Sequence, residues 1–263
     1  MLIDFHTHTF PDKLAPRALS SLSDKSGGLV PVTDGTMADT ALKMREWGVN
    51  CRVMLSIATN PHQQKNVNDF AIANNTPDVI AFGSVHPDAP DAIDELGRLK
   101  AAGLKGVKLH PEYQAFDIDD RRMYPIYDCC QQLGFVVSFH TGKDLGFPDT
   151  LHAPPAAIAR MMRDFPHLKA VMAHMGGCFL WSEALDYVAG LPCYIDTSFT
   201  SGYLDKNLME QLIDKHGAQR VLFGSDCPWA SSKETFDFVD SLNISDEKKE
   251  QIFYQNAKSL LGL

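Results

Sequence analysis

The chain has 263 residues, 44% hydrophobic and 22% charged, a globular composition with room for one large core. Twenty-four Lys and Arg stand against 33 Asp and Glu, a formal net charge of −9. That balance argues against nucleic acid or an anionic membrane surface as a partner, since both call for a basic face.

No uncharged stretch reaches the ~18 residues of a membrane-spanning helix. Residues 2–6 open directly into a strand-like run rather than a secretory leader. The six cysteines, at 51, 129, 130, 178, 193 and 227, form no Cys-x-x-Cys pair, so reduced thiols in a cytoplasmic protein are expected.

Short apolar runs recur along the whole chain, at 2–6, 52–57, 79–85, 106–110, 135–140, 169–174, 193–198 and 220–225. Little polar alternation within each run suits strands of a parallel sheet buried on both faces. Helical patterns separate them, at 36–47, 66–75, 88–102, 122–133, 155–165, 180–189 and 205–216, and close the chain at 233–242 and 246–261. Thr36 and Ser245 stand as N-caps, and Gly48, Gly103, Gly134 and Gly217 fall just past helix ends. Eight strands alternating with helices predict one α/β domain over residues 1–263, a (β/α)8 TIM barrel, rather than an open doubly wound sheet. The connection from 7 to 49 is expected to cover the barrel mouth, as is the Gly/Pro-rich stretch 141–155.

Polar residues concentrate at the strand ends: His6-Thr-His8, Lys108-Leu-His110, His140-Thr-Gly, His174-Met-Gly-Gly and Ser-Asp226-Cys-Pro. A parallel barrel brings all its C-terminal strand ends to one face, so residues far apart in sequence converge. Side-chain alternation puts Asp4, His6 and His8 on one face of the first strand and Lys108 and His110 on one face of the fourth. With Ile3, Phe5, Val107 and Leu109 against the helices, the polar set points inward. Such groups are costly to bury unpaired, and a divalent cation satisfies them together. Imidazole and carboxylate suit Zn2+, with Mn2+ or Fe2+ also compatible.

Individually, several residues have ordinary readings. Asp4 is either an orienting partner of the site or a paired buried charge. Lys108 is a substrate-carboxylate binder, a buried salt-bridge partner or a carboxylated metal bridge. His62, His167 and His216 read as surface or helix-end residues, His86 as structural, and His152, Glu112 and Gln114 as loop or pocket residues.

Taken together, Asp-Phe-His6-Thr-His8, Gly-Val-Lys108-Leu-His110-Pro, Phe-His140-Thr-Gly, Ala-His174-Met-Gly-Gly and Leu-Phe-Gly-Ser-Asp226-Cys-Pro-Trp resemble the amidohydrolase superfamily. The likeness is greatest to its amidohydrolase-related branch, which includes aminocarboxymuconate-semialdehyde decarboxylase-like enzymes. The resemblance runs over all eight strands. It implies a distorted TIM barrel of the metallo-dependent hydrolase type, with metal bound by positions matching His6, His8, His140 and Asp226. His174 then serves as general acid/base. One ion is favoured. The binuclear pattern of the superfamily would add a second through a carboxylated Lys108, His140 and His174.

The leading expectation is a metal-dependent hydrolase of a small amide, lactone or related carbonyl compound. A metal-activated water attacks, Asp226 carries its proton, and Lys108, His110 or Lys143 grips a substrate carboxylate. The alternative is a lyase that decarboxylates an unsaturated or aromatic acid with the same ligands, His174 protonating carbon. An aromatic, cationic slot around Phe147, Trp181, Phe199 and Trp229 would favour the lyase. A phosphoesterase or DNase on the same barrel is disfavoured by Lys108, which stands where that branch has a glutamate ligand. A non-catalytic binding protein is disfavoured by the intact ligand set. The partner expected is a small-molecule substrate, and a homodimer is the default for such enzymes.

Overall fold

The computed structural model describes residues 1–263. Eight parallel strands form in the predicted order: β1 Ile3–Thr7, β2 Cys51–Leu55, β3 Val79–Phe82, β4 Gly106–Leu109, β5 Val136–Phe139, β6 Lys169–Met172, β7 Tyr194–Asp196 and β8 Val221–Leu222. They pair as β1-β2-β3 and β4-β5-β6-β7-β8. Backbone hydrogen bonds join the two sheets at both seams. Gly83 N donates to Gly106 O (3.1 Å) and Lys108 N to Gly83 O (2.8 Å) on one side. Phe5 N donates to Phe223 O and Asp226 N to His6 O (both 2.8 Å) on the other. The architecture is the (β/α)8 barrel, distorted by the two-residue β8 and by a register shift in β1 between Asp4 and Thr7.

Two apolar clusters divide the molecule. The larger, of 51 buried residues, mixes outward strand residues such as Val107, Leu109, Val137 and Phe139 with the helices. The smaller, of 12, draws almost wholly on strands, with Ala257 and Leu261 of the C-terminal helix Asn256–Leu261. It is the barrel filling, plugged from below by that helix.

Ile3 and Phe5 belong to this inner cluster, which corrects the expected alternation in β1. Asp4 correspondingly faces away, towards the start of helix Ser232–Asp240. Its Oδ1 accepts from His6 N (3.1 Å) and Ser225 N (3.0 Å), and its Oδ2 from the hydroxyls of Ser225 and Ser232 (both 2.6 Å). Burial lifts the Asp4 carboxyl to about 6 against those four donors. The register shift breaks the period-two rule just beyond Asp4, so His6 still reaches the barrel mouth. In β4, by contrast, alternation holds and Lys108 points inward.

The connection after β1 contains an unforeseen helix, Ala15–Lys25, beside the expected Met37–Glu46. Thr36 caps the latter by accepting from Asp39 N (3.2 Å), and Gly134 ends helix Tyr124–Leu133 with φ 68°. All six cysteines are free, and no helix is long and apolar enough to cross a membrane.

His216 ends helix Lys206–His216 as expected, but it is buried. Its Nε2–H donates to Cys193 O (2.9 Å) and its Nδ1 accepts from Gly190 N (3.2 Å), which only the neutral ring can do. Burial, with Arg220 adding to it, pushes His216 from 6.5 down to about 4. The folded state thus resists protonation that the unfolded chain accepts, and stability falls as pH drops from 6.5 towards 4. The loss between pH 7 and pH 5 is about 2 kcal/mol. Unfolding free energies from urea melts at the two pH values should differ by that much less in His216→Gln than in the parent; equal differences would exclude the residue as the source.

Candidate active site

The predicted polar residues do meet at the C-terminal mouth of the barrel. His6 lies in β1 and His8 just past it. Lys108 lies in β4 and His110 directly after, while His140, His174 and Asp226 follow β5, β6 and β8. All seven line one cavity of about 1020 Å³. His174, Phe199 and Asp226 have φ of 58°, 54° and 75°, a left-handed backbone that non-glycine residues adopt at a cost of about 1 to 3 kcal/mol each. Trp181 helps to hold one of these bends, its indole N–H donating to His174 O (3.0 Å). That role takes Trp181 out of the cavity wall, which Phe147, Phe199 and Trp229 line as expected.

Hydrogen bonds assign the ring protons. His8 Nδ1 sits 2.9 Å from Leu55 O, and a carbonyl only accepts, so His8 Nδ1 carries the proton. The bare Nε2 then faces Asp226 Oδ1 at 3.2 Å. His6 repeats the pattern, with Nδ1 donating to Asp196 Oδ2 (2.9 Å) and Nε2 lying 3.2 Å from the same Asp226 oxygen. One carboxylate oxygen therefore faces two imidazole lone pairs, an arrangement that repels unless a cation lies among them. Ligand-to-ligand separations near 3.2 Å are those of a metal with bonds of about 2.1 Å. Lys108 Nζ, 3.4 Å from His6 Nε2, supplies part of that positive charge.

Beyond this trio the imidazoles form a chain. Ser198 O lies 3.2 Å from His174 Nδ1, and Ser198 Oγ 2.8 Å. His174 Nε2 lies 3.0 Å from His140 Nδ1. With the proton of His174 on Nδ1, that of His140 lies on Nδ1 too. This leaves His140 Nε2 bare, and it is buried without a partner. An unpartnered, fully enclosed imidazole nitrogen beside two more aimed at a carboxylate fits a divalent metal.

Two adjoining ligand-capable groups result. His6, His174 and Asp226 have ligand atoms within 4.8 Å of one another, as do His110, His140 and Asp144. The structure thus places His140 one ring away from the His6–His8–Asp226 trio and stacks it on His110, with centroids 4.3 Å apart. His110 lies between Asp144 Oδ2 (3.3 Å) and Glu112 Oε2 (3.7 Å).

Burial governs the charges here. It pushes His6 down to about 3, with Lys108 adding to it and Asp196 and Asp226 opposing. It lowers Lys108 to about 8, against the pull of Asp196, Asp226, Asp144 and Glu112, and raises Glu112 to about 7.

Three polar residues of the site escaped the sequence reading: Asp196, Ser198 and Asp144. Asp196 ends β7, where the polar strand-end rule that exposed the others also points. Its Oδ1 accepts from the backbone N–H of His174 (3.0 Å) and of Ser198 (3.1 Å) and from the Ser198 hydroxyl, while Oδ2 orients His6. Asp196→Asn should weaken metal affinity 10- to 100-fold by freeing the His6 ring, measured by competition with a chromogenic chelator. Unchanged affinity would assign Asp196 a purely structural role. Two loop candidates are tied elsewhere. His152 pairs with Asp117 (2.8 Å), and Gln114 Nε2 donates to Ala58 O and Val85 O (both 2.9 Å). Lys143 is exposed at the cavity rim.

Comparison with known proteins bears on this geometry. The amidohydrolase family model matches residues 3–263. The chain belongs to the amidohydrolase family. A curated relative, 2-amino-3-carboxymuconate-6-semialdehyde decarboxylase of Dictyostelium discoideum, is 24% identical over 73% of this amidohydrolase, which spans 63% of that relative's length. An uncharacterised TIM-barrel protein of Bordetella bronchiseptica superimposes with a TM-score of 0.75 at 22% identity, covering 99% of this chain and 98% of the other. A dihydroxybenzoic acid decarboxylase of Polaromonas sp. JS666, solved with manganese and 2-nitroresorcinol, gives 0.76 at 18% identity, covering 100% and 97%. The family match bears out the resemblance read from the motifs, and the solved structures bear out its TIM-barrel fold.

Proposed function

We propose that this amidohydrolase is a metal-dependent decarboxylase of a small aromatic or unsaturated carboxylic acid. The observation that carries the reading is the cavity lining: Phe147, Phe199 and Trp229 share one cavity with Lys108 and His174, and we read them as the walls of a slot. A flat acid fits such a slot with its ring between aromatic faces and its carboxylate near the ammonium. The decarboxylases among its relatives support the lyase over the hydrolase that led the sequence reading.

The metal is held by His6, His8 and Asp226, with the fourth ligand from the adjoining imidazole pair. The resemblance gives that place to His140, whose bare Nε2 is free to take it. Zn2+ suits the donors, and Mn2+ is equally compatible with a set containing a carboxylate. The bound ion supplies Lewis-acid polarisation of substrate oxygen.

The protein supplies the rest. Lys108 draws the carboxylate to the floor by charge, and the aromatic wall fixes the plane of the ring. Protonated from solvent on Nε2, the edge away from Ser198, His174 passes that second proton to the carbon that bears the carboxyl group. The bond from that carbon to the carboxylate breaks, its electron pair stays on carbon, and carbon dioxide leaves. His174 regains its proton from solvent through the open mouth. Asp226 has no proton to transfer in this scheme, unlike in the hydrolytic one.

Metal-loaded protein should release carbon dioxide from at least one member of a panel of hydroxybenzoates and unsaturated dicarboxylates, read by headspace mass spectrometry. Hydrolysis of lactones or amides with no carbon dioxide from any acid would overturn the assignment.

A further inference from the structure

The cavity is larger than a single-ring acid requires. At about 1020 Å³ it matches the upper end of pockets that enclose drug-sized ligands, roughly 300 to 1,000 Å³. One wall is the helix Ala15–Lys25 with Leu14 just before it, which lines the cavity through Leu14, Arg17, Ala18, Ser21, Leu22 and Lys25. That spacing is one helical face. It carries two cations eight residues apart, about 12 Å along the axis, with apolar side chains between them.

Neither cation has an acidic partner within the protein. Like most Lys and Arg of the chain, Arg17 and Lys25 form no ion pair; what sets them apart is that both line the cavity. Lys25 is instead seated on aromatic rings, its Nζ 5.9 Å from the centroid of Tyr113 and 5.8 Å from that of Phe147. Those rings pack edge to face at 4.7 Å, and both belong to the cavity wall. A cation held over aromatic faces keeps its charge available on the side away from them. In a chain of net charge −9, this seated Lys25 and the unpaired Arg17 on the same cavity wall mark a place for an anion.

We infer that the substrate carries a second anionic group, joined to the reacting acid by an apolar body, and that Arg17 and Lys25 bind it at the cavity rim. This deepens, and rests on, the reading of the same cavity as the acid-binding site. Leu14 and Leu22 cover the apolar body, and Lys108 holds the reacting carboxylate at the floor. The second group is a carboxylate or a phosphate-type anion, which the same two cations accept.

Calorimetry on the metal-loaded full chain with three benzoates tests the inference. The probes are 4-butylbenzoate, 4-(3-carboxypropyl)benzoate and 4-(3-phosphonopropyl)benzoate. The parent protein should bind one or both dianions about tenfold tighter than the butyl compound, and the tighter of the two identifies the anion class. In Arg17→Gln/Lys25→Met the ratio should fall to about one. The ratio is taken within one protein, so a general loss of folding cannot erase it selectively. A ratio near one in the parent, a ratio that survives in the double variant, or failure of all three to bind would overturn the inference. Absence of carbon dioxide release with the ratio intact would sink the decarboxylase reading alone.

Discussion

Asp226→Asn should yield a protein that folds at least as well as the parent without metal, yet gains nothing when metal is added. In the metal-free protein, Asp226 Oδ1 faces the bare Nε2 atoms of His6 and His8 at 3.2 Å each, so the carboxylate is a source of repulsion. An asparagine keeps the shape, tolerates the left-handed backbone at φ 75°, and can donate to one of the two lone pairs. With metal the sign reverses. An ion present at a thousand times its dissociation constant stabilises the parent by about 4 kcal/mol, a rise of roughly 8 °C or more in melting temperature for a chain of this size. The variant lacks the only carboxylate in the His6–His8 group and should lose most of that rise, together with at least ~10³-fold in turnover, since no ion remains to polarise substrate. Melting curves with and without Zn2+ or Mn2+ decide the matter. A metal-free variant melting well below the parent, with its metal-dependent rise intact, would mean that Asp226 is a structural acid and that the ion, if any, binds elsewhere.

The residues legible in the sequence are those whose signal is local. The apolar runs mark strands because a strand buried on both faces has no polar positions to spare, and the polar residue that ends each run marks the mouth. His6, His8, Lys108, His110, His140, His174 and Asp226 all carry that mark, and all seven line the cavity. What failed depended on interactions between distant segments. The β1 alternation breaks at a register shift created by its pairing with β2, which no periodicity within residues 2–8 reveals. Trp181 looked like an aromatic wall residue, but the left-handed turn at His174 brings a carbonyl to its indole. His216 looked like a helix-end surface residue because only the fold supplies Cys193 O and Gly190 N as its partners. The helix Ala15–Lys25 lacks a side-chain N-cap and is rich in serine, so Pro16 in its first turn was its one start signal. Yet that helix supplies the wall on which the choice of substrate depends. The choice of chemistry depends likewise on aromatic and cationic side chains from loops that the barrel itself does not dictate.

The adjoining imidazoles His140 and His174 allow the largest effect on turnover to be separated from metal binding. The two rings touch, His140 Nδ1 lying 3.0 Å from His174 Nε2, and His174 is the one grouped with His6 and Asp226 within 4.8 Å, so position does not make His140 the ligand. Hydrogen bonding does. His174 is anchored at Nδ1 by Ser198 and at its backbone by Asp196, whereas His140 has an unpartnered Nε2. A ring with a free, buried nitrogen is the one to take the ion, and the ring tied to the protein on its other edge is the one to pass a proton repeatedly without moving. His140→Ala should therefore bind metal at least ~10-fold more weakly and lose activity in proportion. His174→Ala should keep close to the parent's metal content and lose ~10² to 10⁴ in kcat, with KM little changed, the loss expected of a missing proton donor. The diagnostic is solvent deuterium incorporation: with His174 intact, product formed in heavy water carries one deuterium at the carbon vacated by the carboxyl group. Metal lost from His174→Ala but retained by His140→Ala would exchange the two roles. Full turnover by His174→Ala, with its metal in place, would remove His174 from the chemistry altogether.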